Sequence, residues 1–317
     1  MAFAVLREII ESVLIRDEMG EKCMKLFGAI EAGGTKFVCA AGTETGEIKE
    51  RVSIATTTPE ETMPEVIAFF NKHKVEAIGI GSFGPIDVDK NSPTYGNITT
   101  TPKLAWRDYP LLRSVQKEFS IPIGFNTDVN IAAMGEAVLG AAKGLDSCLY
   151  ITVGTGIGAG AYIQGELLQG LTHPEMGHIL VRRHPEDSYK GSCPYHGDCL
   201  EGLAAGPAIE ERWGTKAAEL SNNDKVWEME GYYIAQALMQ YILILSPKKI
   251  ILGGGVMNQE QVLEYINTYL KEFLNGYLEF PQVSTEMGSY IVRPGLGDNA
   301  GITGGLLLAK RVYEESK

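Results

Sequence analysis

Short apolar runs separated by glycine-rich or polar turns dominate the chain from Lys25 onward. Runs of this kind, rich in branched side chains, are typical of buried strands. The predicted strands of the first half are 26–30, 37–41, 77–81 and 121–125. The region 87–106 is polar and has no clear period, and it is interpreted as a long surface loop, a type of segment that is often functional.

Helices are predicted between these strands at 58–74 and 129–142. The first has Thr58 as its cap, Pro59 at its first position and Glu61 three residues after the cap. Further helices are predicted at 208–220, at 226–245 and from about residue 300 to the end. A separate amphipathic helix is predicted within residues 1–24, whose charged residues argue against a signal peptide.

The second half repeats the strand–turn–strand arrangement of the first. Strands 148–153 and 159–163 flank the glycine-rich turn 154–158, as the first two strands flank residues 31–36. A strand at 249–252 then runs into Gly253-Gly254-Gly255. Two related halves would place two glycine loops across one shared cleft.

Composition narrows the class of protein. Hydrophobic residues make up 44% and charged residues 21%, enough for a full core. A net charge of −12 disfavours nucleic acid and anionic membranes as partners, because phosphate binding needs clustered Lys and Arg. No apolar run reaches the roughly 18 residues of a membrane span. Five sparse cysteines indicate a reducing compartment, here the cytoplasm.

The glycine turns are candidate phosphate sites. Gly33, Gly34 and Thr35, followed by Lys36, can present backbone N–H groups and a hydroxyl to phosphate oxygens, and 154–156 has the same chemistry. The alternative is a hairpin that merely contains glycine, which the second and third loops make less attractive. Neither the Gly-Lys-Ser/Thr phosphate loop nor the dinucleotide fingerprint is present.

Soft metal ligands cluster after the second hairpin. Cys193, His196 and Cys199 are spaced by three, and His178 lies upstream, which together make a tetrahedral set for zinc. The alternative is a loop with coincidental Cys and His. Four protein ligands leave no open position, so this zinc would be structural and would anchor a loop that carries two nearby glutamates.

Asp128 lies between a predicted strand and a predicted helix. It is interpreted either as an N-cap or as a general base, since a helix N-terminus favours the ionised carboxylate that accepts a proton. A base beside two phosphate-binding loops is what phosphoryl transfer to an alcohol requires.

From about residue 25 to its end, the chain resembles the ROK family of sugar kinases, and most closely the bacterial fructokinase branch. Each motif is weak alone, but together they are specific. The motifs that carry the resemblance are Glu31-Ala32-Gly33-Gly34-Thr35-Lys36, Gly81-Ser82-Phe83-Gly84-Pro85, Asp128, Gly154-Thr155-Gly156-Ile157-Gly158, His173-Pro174-Glu175-Met176-Gly177-His178, Cys199-Leu200-Glu201 and Gly253-Gly254-Gly255.

The resemblance implies an α/β, actin-like (ribonuclease H-like) two-domain fold with the site in the cleft. The smaller domain would comprise 25–139 and 296–317, and the larger domain 140–295 with the zinc site and a dimer interface. The implied activity is Mg²⁺-dependent transfer of phosphate from ATP to the 6-hydroxyl of D-fructose, in a homodimer.

The resemblance also implies roles for individual residues. Asp128 would be the catalytic base. The sugar-binding positions would be Asn126, Glu175, His178 and Glu201, with His178 also a zinc ligand. The nucleotide-binding positions would be Gly33, Gly34, Thr35, Lys36, Thr155, Gly156, Pro207, Gly253, Gly254, Gly255, Val256 and Met257.

Four positions depart from the usual family pattern, in a way that fits the fructokinase branch. Glu31 replaces an Asp, Thr127 and Lys103 each replace an Asn, and His196 replaces a zinc-binding Cys.

Other functions stay open. Mannose, glucose or an amino sugar could replace fructose as the substrate, and a non-catalytic sugar sensor or repressor is a candidate of another class. A repressor would need a DNA-binding module before the kinase-like part. The first 24 residues hold five acidic and three basic side chains, which is too short and too acidic a segment for that module.

Overall fold

Two five-stranded mixed sheets form the framework of the protein in a computed structural model that describes residues 25–317. The amphipathic helix predicted within residues 1–24 lies outside the described residues. In the described part, no helix is both long and apolar enough to cross a bilayer.

The first sheet has the order β3-β2-β1-β4-β5. Its strands are β1 (Leu26–Ala32), β2 (Lys36–Thr43), β3 (Ile48–Ala55), β4 (Ile78–Ser82) and β5 (Ile123–Thr127). Strands β1 to β3 are antiparallel, whereas β4 and β5 continue the sheet in parallel with β1. The helices of this half are α1 (Pro59–Lys72), α2 (Leu111–Glu118) and α3 (Asp128–Val138).

The second sheet has the same topology, because its order read from the opposite edge is β8-β7-β6-β9-β10. Its strands are β6 (Cys148–Val153), β7 (Ile157–Ile163), β8 (Glu166–Leu167), β9 (Ile250–Gly253) and β10 (Ile291–Val292). The remaining helices are α4 (Leu200–Ala204), α5 (Gly206–Trp213), α6 (Asp224–Leu245), α7 (Gln261–Leu274), α8 (Pro281–Ser284), α9 (Met287–Tyr290) and α10 (Ala300–Glu315). The internal repeat predicted from the two glycine hairpins is thus present at the level of whole sheets.

Helices α3 and α10 cross where the two halves meet. A Cβ on Gly304 would lie 1.6 Å from the carbonyl oxygen of Ile131, and one on Gly135 would lie 2.4 Å from that of Ala300. Only glycine permits this approach of two backbones. Helix α10 also packs on the first sheet, so the chain end returns to the half where the described residues begin. The exact domain boundaries stay a prediction.

Several predicted element bounds were wrong for identifiable reasons. The helix expected at 208–220 ends at Trp213, because Gly214 adopts a left-handed conformation with φ of 70°. Thr58 precedes α1, but its side chain makes no capping hydrogen bond. Strand β3 was not predicted, since it is a mostly exposed edge strand without a clear apolar alternation. Helix α7 was also missed, although its buried residues repeat every four positions.

The region 87–106 is packed more tightly than the predicted surface loop. Ile98 and Trp106 are completely buried. The Trp106 indole N–H donates to the Thr57 carbonyl at 2.9 Å, and its ring lies 5.0 Å from that of Phe37. The loop is therefore fastened to the first glycine hairpin, on whose second strand Phe37 lies.

Candidate active site

Asp128 is the first residue of α3, directly after β5. The capping role suggested for it belongs instead to Thr127, whose hydroxyl accepts a hydrogen bond from the Asn130 N–H at 3.1 Å. Asp128 Oδ1 accepts the Val129 N–H at 2.8 Å, and within residues 25–317 no side chain hydrogen-bonds to this carboxyl group. The start of α3 therefore holds the Asp128 carboxyl in place, but this group does not cap the helix.

Burial raises the pKa of Asp128 to about 6, against the lowering effect of its backbone hydrogen bonds. Loss of hydration outweighs the backbone hydrogen bonds at the helix start, but a pKa of about 6 still leaves the carboxyl mostly ionised at neutral pH. Glu31, at the end of β1, has its pKa raised to about 7 by burial and then by the charge of Asp128. These carboxyl groups are close enough to oppose each other's ionisation.

Glu175 and Glu201 extend this acidic cluster. Burial, followed by the charges of Glu201 and Asp128, raises the pKa of Glu175 to about 7. Glu201 Oε2 accepts the Ile157 N–H at 2.9 Å, which ties helix α4 to the second glycine hairpin. A Cβ on Gly156 would lie 2.7 Å from this same oxygen, so the turn needs glycine for the carboxylate to fit.

His173 connects Glu175 to the first half of the protein. The Ile86 N–H donates to His173 Nε2 at 3.0 Å, and Nδ1 lies 3.5 Å from Glu175 Oε1. His173 is buried, and burial lowers its pKa. Its neutral ring therefore accepts one bond and bridges the two halves.

The four predicted metal ligands converge. Their donor atoms all lie within 4.8 Å of one another. His178 Nδ1 is 3.5 Å from Cys199 Sγ and 3.8 Å from Cys193 Sγ, which itself is 3.7 Å from His196 Nδ1. Tetrahedral zinc with bonds of about 2.0 to 2.3 Å separates N and S ligands by about 3.6 Å. The donor set thus has the size and the chemistry of a zinc site.

The two ring nitrogens of His178 lie near different groups. Nδ1 points to the thiols, while Nε2 lies 3.9 Å from Glu201 Oε1. Because one nitrogen belongs to the metal cluster, the other is presented to the acidic cluster in a fixed orientation.

The first glycine loop is braced by residues beyond the hairpin. The Thr56 hydroxyl donates to the Gly33 carbonyl at 2.7 Å, and the Thr56 N–H donates to the Thr35 carbonyl at 3.0 Å. A Cβ on Gly34 would lie 3.6 Å from Lys103 Cε, so this lysine borders the loop.

The second and third glycine loops touch each other. Gly254 adopts φ of 92°, and a Cβ there would lie 2.3 Å from the Val153 carbonyl oxygen. The Gly206 N–H donates to the Gly154 carbonyl at 2.7 Å, which brings Pro207 at the start of α5 beside the loop that contains Thr155.

A cleft of about 450 Å³ lies between the two sheets. Of the predicted nucleotide positions, those that line it are Lys36, Gly253, Gly254, Gly255 and Met257. The predicted positions outside its lining are Gly33, Gly34, Thr35, Thr155, Gly156, Pro207 and Val256. Val256 is buried in the core of the second half.

Asn126, predicted to contact sugar, is buried beneath the start of α3. Its Oδ1 accepts bonds from Asn130 Nδ2 at 2.8 Å and from the Thr127 N–H at 2.9 Å. The amide oxygen is therefore committed to holding the turn that precedes Asp128.

Sequence reasoning missed polar residues that line the cleft. Among these are Arg51, Tyr150, Arg293 and Asp298. Among the described residues, Nη2 of Arg293 is buried without a hydrogen-bond partner. The turn Gly297-Asp298-Asn299 before the last helix could have drawn attention to Asp298, whereas the other three have no local sequence signal.

Comparison with known proteins accords with this geometry. Residues 27–312 match the ROK family. A fructokinase of Pediococcus pentosaceus is 51% identical over 92% of this chain and 100% of its own length. A Bacillus subtilis protein that carries fructokinase as a provisional name is 63% identical over 91% of this chain and 97% of its own length.

Among solved structures, a ROK family glucokinase of Streptomyces griseus in complex with glucose and AMPPNP superposes with a TM-score of 0.72. It is 26% identical, and the match covers 90% of this chain and 99% of that one. With the family match, this confirms the predicted actin-like α/β fold.

Proposed function

The chain belongs to the ROK family, and from that premise we propose that it transfers the γ-phosphoryl group of ATP to the 6-hydroxyl of D-fructose. The products are fructose 6-phosphate and ADP. The observation that carries the proposal is the gathering of Asp128, Glu175 and Glu201 beside the second glycine hairpin. The two relatives named for fructose phosphorylation support the choice of sugar.

Asp128 is the general base of this proposal. A pKa of about 6 leaves roughly nine tenths of the carboxyl groups ionised at pH 7. The raised value also makes the carboxylate a better proton acceptor than an ordinary aspartate, since catalytic bases work best near the operating pH. It takes the proton of the sugar hydroxyl as that oxygen attacks the γ-phosphorus, and the bond to the ADP oxygen breaks.

Glu175, Glu201 and His178 orient the sugar. Carboxylates and an imidazole nitrogen accept hydrogen bonds from several hydroxyls at once, which is what a polyol requires. The Ile157 N–H fixes Glu201, and the metal cluster fixes His178, so their positions are preorganised. Asn126 contributes indirectly, by supporting the turn before Asp128.

ATP occupies the cleft lined by the third glycine loop and Lys36. The backbone N–H groups of the third glycine loop hold its phosphates. The carboxyl groups of Glu31 and Asp298 face this cleft and are suitable oxygen ligands for Mg²⁺. When bound, the ion neutralises charge that develops on the phosphates.

The zinc site is structural. Its four residues fit the ion in donor type and spacing, and together they would fill all four positions of a tetrahedral site. Zinc held by His178, Cys193, His196 and Cys199 would fix the loop that carries Glu175 and the start of α4, on which Glu201 lies.

The proposal includes a homodimer. Leu180 and Ile244 are 72% and 76% exposed, and Gln240 between them donates to the Leu180 carbonyl. Ile244 at the end of α6 and Leu180 on the segment that Gln240 contacts form exposed apolar surface suited to meet a second copy. Light scattering should show a dimer that the variant Ile244→Glu weakens. The cytoplasmic location stays a prediction.

A coupled ADP-release assay tests the activity. D-fructose, D-glucose, D-mannose and an amino sugar are compared, each with and without Mg²⁺. The proposal expects the highest kcat/KM with fructose and none without Mg²⁺. Another preferred hexose would correct the substrate, whereas fructose binding without ADP release from any sugar would favour the non-catalytic sensor.

A further inference from the structure

The two connections between the sheets meet at one buried carboxyl group. The chain leaves the first half after α3 and returns to it between β10 and α10. Glu136, in α3, contacts both connections. Its Oε2 accepts the Ala141 N–H at 2.7 Å and the Gly295 N–H at 2.9 Å, and its Oε1 accepts the Leu296 N–H at 2.9 Å.

The carboxyl group at this junction is tightly packed and shielded from water. The Glu136 side chain is 0% exposed. A Cβ on Gly295 would lie 2.6 Å from the Ala141 backbone nitrogen, so the two connections are in direct contact. Without Glu136, three backbone N–H groups would lose their acceptor, and the contact that joins the two connections would be lost. A purely apolar residue could fill the space but could not join the two connections.

The same helix carries the proposed base. Asp128 precedes Glu136 by eight residues, which corresponds to about 12 Å along an α-helix. Helix α3 packs against strands of both sheets. On the returning connection, Asp298 lines the cleft only two residues after Leu296. The carboxyl group of Glu136 therefore joins the helix of Asp128 to the segment of Asp298.

We infer that Glu136 is a positioning residue, the fixed point about which the two halves close on their substrates. This inference rests on the proposed function only because the closed form is the one that would transfer phosphate. Closure around a fixed pivot excludes water, which otherwise competes with the sugar for the phosphoryl group. A pivot that slips would leave the ligands bound but the reacting atoms misaligned.

The variant Glu136→Gln tests this inference. The amide keeps the shape, but its NH2 group replaces one acceptor and faces an N–H donor. We expect kcat to fall about ten- to hundredfold, while KM for fructose changes much less. ADP release without fructose should rise as a fraction of the sugar-dependent rate. Scattering should show less compaction of the variant than of the wild type on addition of fructose and a non-hydrolysable ATP analogue.

Glu230→Gln is the matched control. Glu230 is also buried, but it lies in the middle of α6, and among the described residues its Oε1 has no hydrogen-bond partner. This control should keep the wild-type kcat per folded molecule and the wild-type compaction. If Glu136→Gln does not fold, Gly295→Ala separates the same connections without changing the carboxyl group, and the same kinetic changes are expected.

The inference would be overturned if Glu136→Gln and Gly295→Ala both kept the wild-type kcat, the wild-type dependence of ADP release on fructose and the wild-type compaction. Failure of the proposed function would be distinct, because the wild-type protein itself would then show no sugar-dependent ADP release. The compaction of wild type and Glu136→Gln with the nucleotide analogue would still decide the role of Glu136.

Discussion

Replacement of Asp128 by Asn is predicted to lower activity and raise stability in the same molecule. Asn keeps the shape of the side chain and can accept the Val129 N–H bond with its amide oxygen. It cannot take a proton from a sugar hydroxyl. The loss of a positioned base is worth about 10² to 10⁴ in kcat.

The gain in stability follows from the sign of the pKa shift. Burial raises the pKa of Asp128 from 3.8 to about 6, so the folded protein binds this proton more tightly than the unfolded chain. Below pH 3.8 both states are protonated and the shift has no effect on stability. Between 3.8 and 6 the unfolded chain ionises first, and folding loses free energy. At about 1.4 kcal/mol per pKa unit, the cost at pH 7 is at most about 3 kcal/mol, which Asn avoids.

Activity is measured from pH 5 to 8 and thermal unfolding from pH 4 to 8, on the same preparations. Wild-type kcat/KM should rise about tenfold per pH unit below pH 6 and level off above it, and the stability difference between wild type and variant should shrink toward pH 4. Asp146→Asn is the control, since Asp146 forms a surface ion pair with Lys248 at 2.7 Å that lowers its pKa. It should leave turnover unchanged and gain no stability. Near-normal turnover of Asp128→Asn, or a lower melting temperature than the wild type, would refute the reasoning.

Three further outcomes are expected. Chelation of zinc or the change Cys199→Ser should lower the melting temperature and release about one equivalent of zinc, because binding of a structural ion contributes to folding. Metal-free protein with an unchanged melting temperature would argue against the site. Gly156→Ala should raise KM for fructose more than it lowers kcat, since its Cβ would lie 2.7 Å from the Glu201 carboxylate, and steady-state kinetics would show this. Gly304→Ala should destabilise the fold by at least about 1–3 kcal/mol through overpacking against Ile131, as measured by denaturant unfolding.

Under the proposed function, the charge of the acidic cluster would have to be offset by an ion and by cationic side chains. Burial raises the pKa of Glu31 and of Glu175 to about 7, and the charge of Asp128 adds to this effect at both groups. A nucleotide polyphosphate in the cleft beside Glu31, as proposed, would bring more negative charge. Lys36 and Arg293 line that cleft and offset part of the charge.

Chemistry that depends on a few adjacent residues was predictable from the sequence. The turn at 33–35 forms a hairpin as expected, because glycine permits its geometry whatever lies around it. Cys193, His196 and Cys199 converge because their spacing already places them on one short loop, and only His178 comes from elsewhere.

Tertiary structure decided whatever depends on residues that are distant in the sequence. Glu136 has no motif, yet it bonds to backbone groups 159 and 160 residues away. Arg293 lines the cleft only because β10 pairs with β9. The pKa of Asp128 likewise follows from its loss of hydration, which no local pattern encodes, since burial is a property of the packed chain and not of its neighbours in sequence.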